Sequence, residues 1–202
     1  MKRLLEYVTL ETLLTDSIAR KHLPKAGYYH AVASAENAFE LAMERGVCVD
    51  LATKSGLLHD IGHTDWEHQG EWDYDSYNEF DIHTIKGAER AHELLILKGE
   101  GLGKARCMAL AILFHSSSSP VNDNVELTPL QKLVSDADDL GKEEDGAHHN
   151  IEIEFSEAVQ RIRRLDMLVY HHIRNNQLKC DDCEFKSECK LQDGGSNGAQ
   201  NK

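Results

Sequence analysis

Apolar residues recur every three to four positions along most of the chain, a spacing that predicts helices. Leu4, Leu5, Val8, Leu13, Leu14 and Ile18 give a rough helical period through the first segment. Pro24 and Gly27 then punctuate it. The pattern predicts a helix from about Tyr28 to Arg45, stopped by Gly46, with His30, Ala33, Asn37 and Leu41 on its inward face. The next helix is expected over Leu51 to Asp60, N-capped by Asp50. Residues 64–82 have no helical period and are rich in Trp, Tyr, Asp and Glu. They read as a long loop over a site, in which Trp66, Trp72, Tyr74 and Tyr77 either cover the core or stack on a ring.

His83 opens a helix that runs to Leu97 and is ended by Gly99, Gly101 and Gly103. Lys104 to His115 is another, stopped by Ser116 to Pro120. Thr128-Pro129-Leu130-Gln131 is a helix start, with Thr as N-cap, Pro in the first turn and Gln completing a capping box. That helix carries Leu130, Leu133, Val134 and Ala137 to Asp138 and stops at Gly141, before a polar loop over 142–150. Ile151 to Phe155 alternates with period two and predicts a short extended piece. The last helix is expected from Ser156 to Asn175, with Val159, Ile162, Leu165, Val169 and Ile173 as its apolar stripe. No other segment reads as a strand, so the fold class is all-α.

The 202 residues suffice for one domain with a substantial core. The expected organisation is a helical domain over 1–178, a cysteine-bearing tail over 179–193 and a polar, glycine-rich, disordered end over 194–202. No apolar run approaches the roughly 20 residues that span a bilayer. The formal net charge of −13 argues against charge-driven binding to nucleic acid or an anionic membrane. Met1-Lys2-Arg3-Leu4-Leu5 is followed by Glu6, Glu11 and Asp16 rather than by a signal-peptide core, so a cytoplasmic location is expected. The five cysteines then read as free thiols or metal ligands before disulfides.

The candidate chemistry gathers on His59-Asp60, which ends an apolar helical segment. Neither residue is comfortable in a core without a partner. His30, His83, His115 and Asp138 are spread over other helical segments, so six possible ligands suggest a metal centre in the middle of a bundle. Any single histidine on a helix is more often a hydrogen-bonded core or surface residue, and His115, at a helix C-terminus, has capping as its structural role. Imidazole and carboxylate together suit iron, manganese, zinc or nickel and do not suit calcium. The two oxygens of Asp60 can bridge two ions about 3.5–4 Å apart, which would bind a water between them, lower its pKa and present it to phosphorus.

The order His30, His59-Asp60, Asp138 resembles the HD superfamily of metal-dependent phosphohydrolases over roughly residues 28 to 140. Leu57-Leu58-His59-Asp60-Ile61-Gly62 looks like the family signature, and Ala137-Asp138-Asp139-Leu140 like its final-ligand segment, with Asp136 as the alternative register. His83 with Gly87-Ala88, and His115 within Ala111 to Ser116, resemble the two extra histidines of the binuclear branch. The resemblance implies an HD-type helical bundle over 1–178 with the metal site at its centre. It implies one ion held by His30, His59, Asp60 and Asp138, and a second held by Asp60, His83 and His115. Binuclear cyclic-dinucleotide phosphodiesterases carry Lys where this chain has His63, together with a Gly-Tyr-Pro motif. Neither is present, so that activity is not assigned. The closer resemblance is to the branch that includes dinucleoside tetraphosphate hydrolases.

The expected activity is hydrolysis of a phosphomonoester or phosphoanhydride of a nucleotide or small metabolite, with Asp60 and His63 as catalytic residues. His63 would contact the phosphate or protonate the leaving group, or else act only as a supporting loop residue. His68 is a weaker candidate for the same task. Lys86, Arg90, Lys104 and Arg106 are candidate phosphate contacts or plain surface residues. HD-type di-iron oxygenases, which cleave C–C or C–P bonds with O₂, resemble the ligand set equally well. A non-catalytic binding module with a structural metal is the third reading, and the intact ligand set argues against it.

Cys180-Asp181-Asp182-Cys183 and Cys189 form a second constellation. Three thiolates suit Zn²⁺ with His171 or His172 as fourth ligand, or an iron–sulfur cluster that would want a fourth cysteine, for which only Cys48 and Cys107 remain. A reduced tail without metal is the plain alternative. Cys48 and Cys107 read as small buried residues, and His148-His149 as solvated.

Overall fold

The structure, a computed structural model, describes residues 8–64, 67–68, 71–116, 126–140 and 151–176. The N-terminal period resolves into two short helices, α1 (Leu10–Leu14) and α2 (Ser17–His22), rather than one. Each has its own N-cap: Thr9 accepts from the Thr12 N–H, and Asp16 from the Ile18 N–H. A 3₁₀ turn over Leu23–Lys25 leads to Gly27 (φ 93°) and then to α3 (Tyr28–Arg45). Gly46, left-handed at φ 71°, ends α3 by donating its N–H to the Ala42 carbonyl.

α4 (Val49–Leu58) begins two residues earlier than its expected start. Asp50 is not its N-cap, since Cys48 holds that position without a side-chain bond. Asp50 instead lies in the first turn and pairs with lysines. The segment 64–82 is not a single loop either. Glu67–His68 (β1) and Glu71–Trp72 (β2) pair antiparallel, and α5 (Tyr74–Phe80) follows, started by the Asp73 side chain accepting from the Ser76 N–H. α6 (His83–Leu97) and α7 (Leu102–Leu113) are joined through Gly99 (φ 92°). α8 (Pro129–Leu140) opens on the expected capping box: the Thr128 N–H donates to Gln131 Oε1 at 2.8 Å, and the Gln131 N–H to Thr128 Oγ1 at 3.3 Å. Residues 151–154 are non-helical and, among the described residues, join no sheet, and α9 (Phe155–Asn176) follows. Its stripe of Ile162, Leu165, Val169 and Ile173 is buried.

α4 is the axis of the bundle. All ten of its residues are buried, and it packs on α3, α7, α8 and α9. Fully burying residues such as Leu51, Leu57 and Leu58 stabilises by about 1.5–3 kcal/mol each. Close approach to α3 requires Gly56, where a Cβ would stand 2.7 Å from the Ser34 carbonyl oxygen. Polar ties complete the frame. Asn37 Nδ2 donates to the Ala137 carbonyl at 3.2 Å, linking α3 to α8. Asp166 of α9 accepts the Leu10 and Glu11 N–H groups at 2.7 and 2.9 Å.

α4 also carries a buried ionic cluster. Lys54 Nζ lies 2.7 Å from Asp50 and 2.6 Å from Glu100, while Lys104 Nζ lies 3.4 Å from Asp50 and 3.8 Å from Glu100. Two cations and two carboxylates cancel there and pin α4 to the start of α7. Among the described residues, no helix is long and apolar enough to cross a membrane.

Candidate metal centre

α4 stops at Leu58, and His59-Asp60 stand in the tight turn that follows, with His59 still helical at φ −55°, ψ −40°. The turn is pressed against α6. A Cβ on Gly62 would overlap the His83 carbonyl oxygen and the Gly87 nitrogen, so glycine is required for the approach that sets His83 beside Asp60. Arg90 of α6 fastens the turn from outside, donating from Nη1 to the Ile61 carbonyl at 2.8 Å.

Six sequence-predicted ligands, His30, His59, Asp60, His83, His115 and Asp138, are all buried and converge. Asp60 divides them. Its Oδ2 faces His30 Nε2 at 3.4 Å and His59 Nε2 at 3.2 Å. Asp138 Oδ1 joins that side at 3.1 Å from His30 Nε2 and 3.3 Å from His59 Nε2. Oδ1 of Asp60 faces His83 Nε2 at 3.7 Å and His115 Nε2 at 3.4 Å. His63 stands on the same side, with Nε2 3.3 Å from Asp60 Oδ1. The helix does not continue to His63, but the turn after α4 buries it all the same. Its ring stacks on His83 at 4.3 Å and more distantly on Tyr77 of α5 at 5.9 Å.

The donor set fits cations. His59 Nδ1 lies 2.7 Å from the Gly56 carbonyl, and His115 Nδ1 2.6 Å from that of Ile112. A carbonyl only accepts, so both rings carry a proton on Nδ1, and in the neutral ring the Nε2 lone pair points inward. His83 Nδ1 is likewise bonded to Asp81. The lone pairs of these rings then meet carboxylate oxygens at 3.2–3.7 Å in a buried space, a repulsive arrangement until a positive charge enters it. The electrostatics agree. Burial opposes charging His59, yet Asp60 and Asp138 raise its pKa well above the ordinary imidazole value. His30 is raised too, against burial, by hydrogen bonds to Asp138 and Asp60. Burial opposes ionising Asp138, but hydrogen bonds from His30 and His59 hold it far below the carboxylate range. Protons on these rings supply the positive charge that a cation would otherwise bring, and metal uptake displaces such protons.

The neighbouring candidates sort differently. Asp136, the alternative register, points away and pairs with Arg45 Nη1 at 2.5 Å. Lys104 belongs to the buried ionic cluster, and Arg90 gives its Nη1 to the turn. Arg106 is exposed and Lys86 partly buried. Cys48 is buried and Cys107 partly so. Cys180, Cys183 and Cys189, with Trp66 and His148-His149, lie outside the described residues. His171 is exposed and His172 partly buried. Sequence reasoning missed Asp81, hidden in the presumed loop; its signal was a carboxylate two residues before a histidine that opens a helix.

Two comparisons bear on this centre. The chain is 45% identical over 162 residues to a Bacillus subtilis (strain 168) protein named "Putative phosphohydrolase YueE", a match covering 80% of this chain and 92% of that protein. No solved structure matches. The model of the HD domain matches residues 27–143, which run from the glycine before α3 to just past α8 and contain every one of the converging side chains. The chain belongs to the HD domain family.

Proposed function

We propose that this HD-family chain is a metal-dependent phosphohydrolase with a two-ion centre, acting on a phosphomonoester or phosphoanhydride of a nucleotide or similar small metabolite. One observation carries the two-ion reading: the carboxylate of Asp60 turns one oxygen to His30 and His59 and the other to His83 and His115. Hydrolysis is supported by the family and by the name of the Bacillus relative. Iron, manganese, nickel or zinc would suit this nitrogen and oxygen donor set. Held by these residues, such ions would supply water activation and polarisation of a phosphoryl oxygen.

The protein's own groups do the positioning. The Gly56 and Ile112 carbonyls keep the His59 and His115 rings aimed inward. Burial keeps bulk water from competing for the donors, and Asp60 fixes the spacing of the two halves. His63, at the same side as His83, is placed to bind a phosphoryl oxygen or hand a proton to the leaving oxygen. A separate soft-metal site on Cys180, Cys183 and Cys189, holding zinc or an iron–sulfur cluster, is proposed from their spacing alone.

The test is release of phosphate or pyrophosphate from nucleotides and simple phosphomonoesters under anaerobic conditions with Mn²⁺ or Ni²⁺. Turnover without oxygen is expected. Oxygen consumption by the iron-loaded protein, with no phosphate released, would make it one of the HD-type oxygenases instead. In the same assay His63→Ala is expected to slow turnover about 10²–10⁴-fold while keeping both ions. Loss of an ion would make His63 a ligand, and unchanged turnover would remove it from the chemistry.

A further inference from the structure

The imidazoles of the centre are not held alike. His59 and His115 each lean on a main-chain carbonyl three residues upstream, a neutral acceptor. His83 leans on a carboxylate: its Nδ1 is hydrogen-bonded to Asp81 Oδ2, and its backbone N–H lies 3.2 Å from both Asp81 oxygens. The Asp81 side chain is largely buried, at 6% exposure. Its own backbone N–H donates to the Tyr77 carbonyl at 3.0 Å, so α5 fixes it from one side and α6 from the other. The two halves of the centre also differ in charge. Among the described residues, the first has Asp138 to itself and shares Asp60, whereas the second shares Asp60 and has imidazoles besides.

We infer that Asp81 is a positioning residue for the second ion, supplying negative charge to this half of the centre through His83. The inference rests on the two-ion reading above. An anionic acceptor on Nδ1 fixes which nitrogen is protonated, fixes the ring plane and strengthens Nε2 as a donor. The same carboxylate starts α6 by accepting the His83 N–H, so a plain helix cap is the competing role.

Asp81→Asn separates the two. Its amide oxygen still accepts the backbone N–H, and asparagine caps helices about as well as aspartate. It cannot offer a carboxylate to the ring, and an amide N–H facing Nδ1 would drive the ring proton to Nε2, the atom that must hold the ion. Metal-free full-length protein is titrated with Mn²⁺ by calorimetry, with the electron paramagnetic resonance signal of a coupled Mn²⁺ pair as second readout. For the wild type, two ions and a coupled signal are expected. Asp81→Asn should keep the first dissociation constant, weaken the second about 10–100-fold and lose the coupled signal. Its metal-free thermal midpoint should match the wild type, while that of Asp81→Ala should fall.

An Asp81→Asn protein with both wild-type constants, beside a destabilised Asp81→Ala, would reduce Asp81 to a cap and overturn the inference. Equal weakening of both constants would overturn it too. A wild type that binds a single ion would overturn the two-ion reading itself, and this inference with it.

Discussion

Asp60→Ala is expected to cost the protein both ions and its turnover together. Asp60 turns one carboxylate oxygen to each half of the centre: Oδ2 lies 3.2 Å from His59 and Oδ1 3.4 Å from His115. Removing it leaves two sets of imidazoles without the shared negative charge that draws cations to them. Metal activation of water and phosphoryl polarisation are worth several kcal/mol. At about 1.4 kcal/mol per tenfold, turnover should fall by about 10³-fold or more. Asp138→Ala is the informative companion, because Asp138 Oδ1 lies on the side of His30 and His59, at 3.1 and 3.3 Å from their Nε2 atoms. It should lose the first ion and keep the second. Elemental analysis of the two variants, with phosphate release measured beside it, checks the asymmetry. Two ions retained in Asp60→Ala would mean that the carboxylate does not bridge.

The second large effect falls on stability, away from the chemistry. Lys54 is fully buried on the central helix, 2.7 Å from Asp50 and 2.6 Å from Glu100. Burial opposes its charge, and the two carboxylates outweigh burial, so its pKa is raised and the side chain stays cationic. Lys54→Ala would remove the nearer cation from two buried carboxylates and leave them facing Lys104 at 3.4 and 3.8 Å. Breaking a buried pair from one side costs about 3–5 kcal/mol. For a domain of this size that is a fall of roughly 6–20 °C in thermal midpoint. Lys104→Ala should cost far less, since Lys54 remains at the shorter distances. Differential scanning calorimetry of both variants is the check. Equal falls would show that the cluster is not organised around Lys54.

The sequence was most legible where a residue's role is local. The boundaries of α3 follow from Gly27 and Gly46, and the start of α8 from its capping box, because those signals act within a turn of the residues that carry them. His59-Asp60 could be placed at the end of an apolar helix for the same reason. The role of Asp50 was misread because aspartate before a helix ordinarily caps it, and only the folded chain brings Lys54, Glu100 and Lys104 around it. α5 was unreadable as a helix because Tyr74–Phe80 is short and polar, with its start fixed by the Asp73 side chain rather than by an apolar period. Asp81 lay in the same stretch and was lost with it. The convergence of His63 on Asp60 follows from the turn over 59–62 and the close approach at Gly62, neither of which a helical period expresses.

The central claim is the divided centre, and elemental analysis of purified protein tests it most directly. Wild type should carry two equivalents of transition metal, and His83→Ala/His115→Ala about one, with the His30, His59 and Asp138 half still filled. One equivalent or fewer in the wild type, unchanged by the double substitution, would mean that His83 and His115 hold no ion and would contradict the account.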